Sequence, residues 1–202
     1  MRLPGCLILA LVLVPGVSKA EALRPAWVAS GVYAFIGAQE EVAPQNRGNV
    51  INSGFLVGHD EVIVIDTGPH ATHGERILQA ISRVTSKPVV LAINTHPHPE
   101  NVLGNSAFAR RGIPILAHSE TIRAMRERCA TCLENMRRQL CELMAGTEVV
   151  IPQRSVESST VIEAGRAQVE AALLRLGPHR RRSRCARSRD RRGLQRRARL
   201  CR

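Results

Sequence analysis

The sequence predicts an α/β fold with helices layered on a sheet, and three observations carry that expectation. Two β-branched runs, Val50 to Val57 and Glu61 to Ile65, flank Gly58-His59-Asp60 and read as a hairpin. Between His73 and Val84, the residues Ile77, Leu78, Ile81 and Val84 fall at helical spacing, and Lys87-Pro88 stops the pattern. Val89 to Ile93 is then a short continuous apolar run, as expected of a strand buried on both faces. Strand, helix and strand in succession describe a layered α/β unit.

The pattern continues along the chain. Val102 to Arg111 suits a short helix, Ile113 to Ala117 a strand, and Ser119 to Met144 a long polar helix opened by a Ser cap. Glu148 to Ile151, Thr160 to Glu163 and Gln168 to Leu176 are further strand candidates. At 202 residues the chain is long enough to bury one core, and no internal repeat interrupts it.

Charge is distributed unevenly. Residues 176–202 hold 12 Arg and a single acid, Asp190, whereas the preceding residues hold 17 Lys plus Arg against 16 acids. The formal charge of +12 therefore belongs almost entirely to the C-terminal segment.

The N-terminus has the pattern of an export signal. Arg2 precedes a short apolar run from Cys6 to Val14, and Ser18-Lys19-Ala20 offers small residues for cleavage after Ala20, or alternatively after Ala22. The run is shorter than the ~20 residues of a spanning helix and meets Pro15-Gly16, so an uncleaved anchor is the weaker alternative. The expected location is the periplasm or the extracellular space, without stable membrane insertion. An oxidising compartment permits disulfides. Cys129, Cys132 and Cys141 cluster in the long helix but give only three thiols, so a Cys129–Cys132 disulfide or plain helix-surface thiols fit better than structural zinc.

The chemistry concentrates in Asn94-Thr95-His96-Pro97-His98-Pro99-Glu100-Asn101, directly after the buried strand. Histidines one residue apart at a strand end point to the same side, so His96 and His98 can form one edge of a metal site. Glu100 is spaced to bind a second metal or to hold a water as general base. On spacing alone, two surface or hydrogen-bonded histidines are an equal alternative.

In its context this segment resembles the His-x-His-x-Asp-His signature of the metallo-β-lactamase superfamily. Asp66-Thr67-Gly68, Asn46-Arg47-Gly48-Asn49, Gly104-Asn105-Ser106-Ala107-Phe108 and Cys129-x-x-Cys132 extend the resemblance, most closely to the zinc metallohydrolases linked to quinoprotein relay systems. It covers residues 25–178 and implies the N-terminal part of an αββα sandwich, with Asp66 buttressing the metal loop. A strand-end turn is the alternative role for Asp66. Two positions depart from the signature: Glu100 stands where the family has Asp, and Asn101 where it has the second-site His. Asn offers a neutral amide oxygen, a poor zinc ligand beside imidazole. The resemblance therefore implies one zinc ion at most, with His179 the downstream candidate for a third ligand and no equivalent of the remaining ones.

Residues 179–202 have two readings. As a cationic arm they would neutralise phosphates, yet they carry no aromatic platform for bases, and an exported protein is not expected to meet nucleic acid. As an out-of-frame translation they explain the missing ligands: codons read from their second base permit His-Thr-x-x-Asp-Leu across Pro178 to Arg184. The same frame permits Thr-Gly and Val-Phe between Asp190 and Gln195.

Three functions follow. The first is an exported zinc-dependent hydrolase of an ester, thioester or lactam in a small-molecule substrate, impaired by the substitutions, with Glu100 as second-site ligand or base. The second is a non-catalytic periplasmic binding or accessory protein on the same scaffold, and the third is polyanion binding through the Arg-rich segment. Little more than half a sandwich also implies a bare apolar sheet face, open to a partner or to aggregation.

Overall fold

A computed structural model describes residues 22–157 in full, and beyond them only the backbone of strands at Thr160–Ala164, Ala167–Leu176, Arg180–Arg189 and Gln195–Arg197. The central sheet has seven strands in chain order: β1 (Ala26–Ala29), β2 (Val32–Phe35), β3 (Ser53–Val57), β4 (Val62–Ile65), β5 (Val89–Asn94), β6 (Ile115–His118) and β7 (Arg154–Val156). The first four pair antiparallel, and β4 to β7 pair parallel. The change occurs where helices begin to connect the strands, because parallel neighbours need a crossover. The four later strands form a second, antiparallel sheet.

Side-chain alternation sorts the two faces of the central sheet. Val62 and Val64 of β4 pack with Ile77, Ala80 and Ile81 of helix α1 (Ala71–Val84), with Phe35 and Phe55, and with Phe108 of α3 (Asn105–Ala109). Ile63 and Ile65 point the other way and join Val32, Leu56, Leu91, Ile93 and Leu116. These seven are 1–8% exposed. Ala29, Val90 and Val156 pack against them.

The hairpin of β3 and β4 has the expected turn, with Val57 opposite Val62. Helix α1 begins two residues earlier than its periodicity indicates, because the His70 ring caps it by accepting from the His73 amide. The short helix expected over residues 102–111 is instead two pieces, α2 (Pro99–Val102) and α3, divided at Leu103-Gly104. The long helix α4 (Ser119–Leu140) is capped by His118 rather than by Ser119, and ends where Cys141 takes a φ of 50°.

Glu148 to Ile151 is not a strand. Val149 and Ile151 pack into the clusters around α4, and the Val150 carbonyl accepts from the Asn105 side chain, which leaves no ladder to join. The hairpin of β1 and β2 is absent from the sequence reading, although Gly31, at φ 72°, marks its turn.

Candidate metal centre

Two loops at the C-terminal ends of the parallel strands make the site. The first leaves β4 as Asp66-Thr67-Gly68 and the second leaves β5 as Thr95 to Asn101. They are joined at Asp66, which is buried with φ 57°. Its Oδ1 accepts the Thr95 amide at 2.8 Å, and its Oδ2 accepts the Thr95 hydroxyl at 2.5 Å and the Asn101 side-chain amide at 2.9 Å. The backbone repeats the link, since the Thr67 and Gly68 amides both donate to the Asn101 carbonyl. Burial pushes the Asp66 carboxyl up to about 6, against the opposing effect of these hydrogen bonds.

A second polar layer lies beneath. Asn94 and Asn105 exchange side-chain hydrogen bonds at 2.7 and 3.0 Å, and the Thr67 hydroxyl lies 2.8 Å from Asn105 Oδ1. Gly104 lets the layers close: its amide donates to the Gly68 carbonyl at 2.8 Å, and a Cβ there would land on the Thr67 carbonyl.

The Asp66–Thr95 bond determines the state of His96. The Thr95 hydroxyl has one hydrogen and gives it to Asp66, so its oxygen faces His96 Nδ1, 2.9 Å away, as an acceptor. This assigns His96 the Nδ1–H tautomer, which makes Nε2 the nitrogen that carries the lone pair. The His96 and His98 ring centroids are 5.9 Å apart. Pro99 opens α2 at its first position, and Glu100 follows in the first turn. Glu100 Oε1 lies 3.5 Å from His98 Nδ1. Burial acts to raise the Glu100 carboxyl, but the hydrogen bonds from His98 and its own backbone hold it below the usual carboxylate range.

The structure thus assembles Asp66, His96, His98, Glu100 and Asn101 within two adjacent loops. Asn101, considered from sequence as a ligand position, is 6% exposed and its amide nitrogen is committed to Asp66. His179 lies outside the described residues. Among the described residues no group of three His, Cys, Asp or Glu converges to hold a metal ion. The two imidazoles suit zinc as far as they go, and a full site needs a further donor. Asn94, Thr95 and Asn105 stood out from sequence only as the context of the histidine segment; the hydrogen bonds they make give them their roles.

Among the described residues no helix is long and apolar enough to cross a membrane. The fold is similar to a metallo-beta-lactamase from Pontibacter korlensis, at TM-score 0.56 and 20% identity over 74% of this chain and 59% of that one. It is also similar to a metallo beta lactamase from Hirschia baltica, at TM-score 0.52 and 18% identity, covering 72% and 58% of the two chains. A third solved structure, TMB-1, matches at TM-score 0.53 and 14% identity, covering 75% and 60%. The chain spans about three-fifths of the length of these structures. No curated protein matches it. The sequence model of the Metallo-beta-lactamase superfamily matches residues 46–173, well over half the chain and including both loops, so the chain belongs to that superfamily.

Proposed function

We propose that the chain is an exported hydrolase of this superfamily, acting on an ester, thioester or lactam in a small molecule through one zinc ion. The observation that carries the proposal is His96, oriented through Thr95 and Asp66 so that Nε2 is its ligating atom. His98 is the second ligand, and a third comes from beyond the described residues, with His179 the candidate. These residues would hold a zinc ion, which would lower the pKa of a bound water and polarise the substrate carbonyl. Glu100, kept ionised, is the base that takes a proton from a water at the loop. Asn101, whose side chain is committed to Asp66, stands where the superfamily signature has its second-site His, which supports a single ion and reduced activity.

The finer assignment is to the zinc metallohydrolases of quinoprotein relay systems, exported by a signal ending near Ala20 or Ala22. The superfamily match ends at residue 173, ahead of the Arg-rich run, which supports reading residues 179–202 as a shifted frame. The nucleotide sequence around Gly177 tests that directly: an early stop in the second frame, or the lack of His-Thr-x-x-Asp-Leu there, removes the idea.

Zinc analysis of the purified full chain tests the metal. One ion is expected in the wild type and a loss of binding in His96→Ala and His98→Ala. Equally low zinc in all three would leave the scaffold without a hydrolytic centre and favour the binding or accessory reading.

A further inference from the structure

Cys129 lies in the middle of α4, fully buried, with its Sγ 4.0 Å from the carbonyl oxygen of Pro97, the residue between the two histidines. It packs with Met125 and with Val102, the last residue of α2, so one side chain supports both the loop and the helix that carries Glu100 and Asn101. One helical turn further on is Cys132, half-buried. Both are free cysteines, with no bond between them in the structure.

The helix itself opposes a bond between them. Residues three apart in an α-helix have Cβ atoms about 5–6 Å apart, whereas a disulfide needs about 3.5–4.5 Å. Cross-linking must therefore tighten or unwind this turn of α4 and draw Cys129 Sγ away from Pro97. A disulfide that works against its surroundings is easily reduced, which suits a reversible modification better than a permanent staple.

We propose that Cys129 and Cys132 form a reversible disulfide by exchange with an external disulfide, and that closing it loosens the His96–His98 loop from α4. The more accessible Cys132, as thiolate, attacks the external disulfide and expels one thiolate. Cys129, having given up its proton, then attacks the Cys132 sulfur of the mixed disulfide and expels the second. Two protein thiols are oxidised, one external disulfide is reduced to two thiols, and the two protons released from the cysteines end on them. As regulation of the metal loop the inference rests on the hydrolase reading; as a thiol switch of loop order it does not.

The test equilibrates the full chain, free of metal, in glutathione buffers of increasing oxidised fraction. Trypsin releases residues 129–137 as one peptide holding both cysteines, because Arg128 and Arg137 bound it. Oxidation is expected to make that peptide lighter by two hydrogens, and dithiothreitol to restore it. Amide exchange at Asn101 and Leu103, whose N–H groups donate to the His98 and Pro99 carbonyls, is expected to quicken about three- to tenfold on oxidation. The Cys132→Ser variant, which keeps Cys129 and its contact, is expected to show neither change. Failure of the peptide to lose two hydrogens, unchanged exchange in the oxidised chain, or the same exchange response in Cys132→Ser would each overturn the proposal. A chain that binds no zinc in either redox state would remove the hydrolase reading while leaving the exchange result to decide this one.

Discussion

The Asn101 side-chain amide donates to Asp66 Oδ2 at 2.9 Å, and so fastens the histidine loop to the loop that leaves β4. Asn101→Ala removes one of three donors to a buried carboxylate. The expected cost is about 1.5–3 kcal/mol, read from urea unfolding of the full chain. The Asp66 carboxyl should titrate still higher in the variant, because less hydrogen bonding opposes its burial. A variant as stable as the wild type would remove Asn101 from the scaffold.

Gly104→Ala tests how tightly the loops are stacked. The added methyl meets the backbone carbonyl of Thr67, which cannot rotate away as a side chain can. Destabilisation of about 3 kcal/mol is expected from such overpacking. Gly112→Ala is a useful contrast, since no atom lies near that Cβ and its cost arises from a φ of 67° alone.

Two buried histidines should make the fold acid-sensitive. Burial pushes His70 down to about 4 and His73 down to about 3. Both are neutral in the folded chain and protonate on unfolding, so their contribution is complete above about pH 6.5 and is lost as pH falls from there towards their folded values. For His70 the full loss is on the order of 3 kcal/mol. Asp66 acts in the opposite direction: its raised value means that it gains stability as pH falls from about 6 to 3.8. Two losses against one gain leave a net decline in acid, to be followed by urea midpoints between pH 7.5 and 4. Neither His73 ring nitrogen has a hydrogen-bond partner among the described residues. His73→Leu should therefore match or exceed wild-type stability at pH 7.5 and flatten the decline.

Thr95→Val conserves shape and deletes the hydroxyl between Asp66 and His96. Zinc affinity, measured by competition with a chromophoric chelator, is expected to fall about 10–100-fold. An unchanged affinity would mean that His96 does not depend on this bond for its tautomer.

Periodicity made most of the fold legible. Val89 to Ile93 and the spacing of Ile77, Leu78, Ile81 and Val84 located β5 and α1 because each pattern is set by burial within one element. Failures arose where long-range contacts decide. His70 caps α1 only because its ring meets the His73 amide and the Arg47 carbonyl, 23 residues away. Val150 reads as strand from its neighbours, yet its carbonyl is taken by Asn105, 45 residues away. In the site, His96, His98 and Asp66 were visible as residue types. The tautomer of His96 and the role of Asn101 were not, because both depend on which hydrogen bond a particular atom makes.

The left-handed backbone of Asp66 bears on how the chain reaches this structure. A non-glycine residue at φ 57° is unfavourable by itself, and what holds it there comes from Thr95 and Asn101, about 30 residues further on. The end of β4 therefore cannot settle during the early, local pairing of β3 with β4. It must wait for β5 to dock alongside and deliver its donors, so the histidine loop and the Asp66 turn should be late-forming, with substitutions there hastening unfolding more than they slow folding.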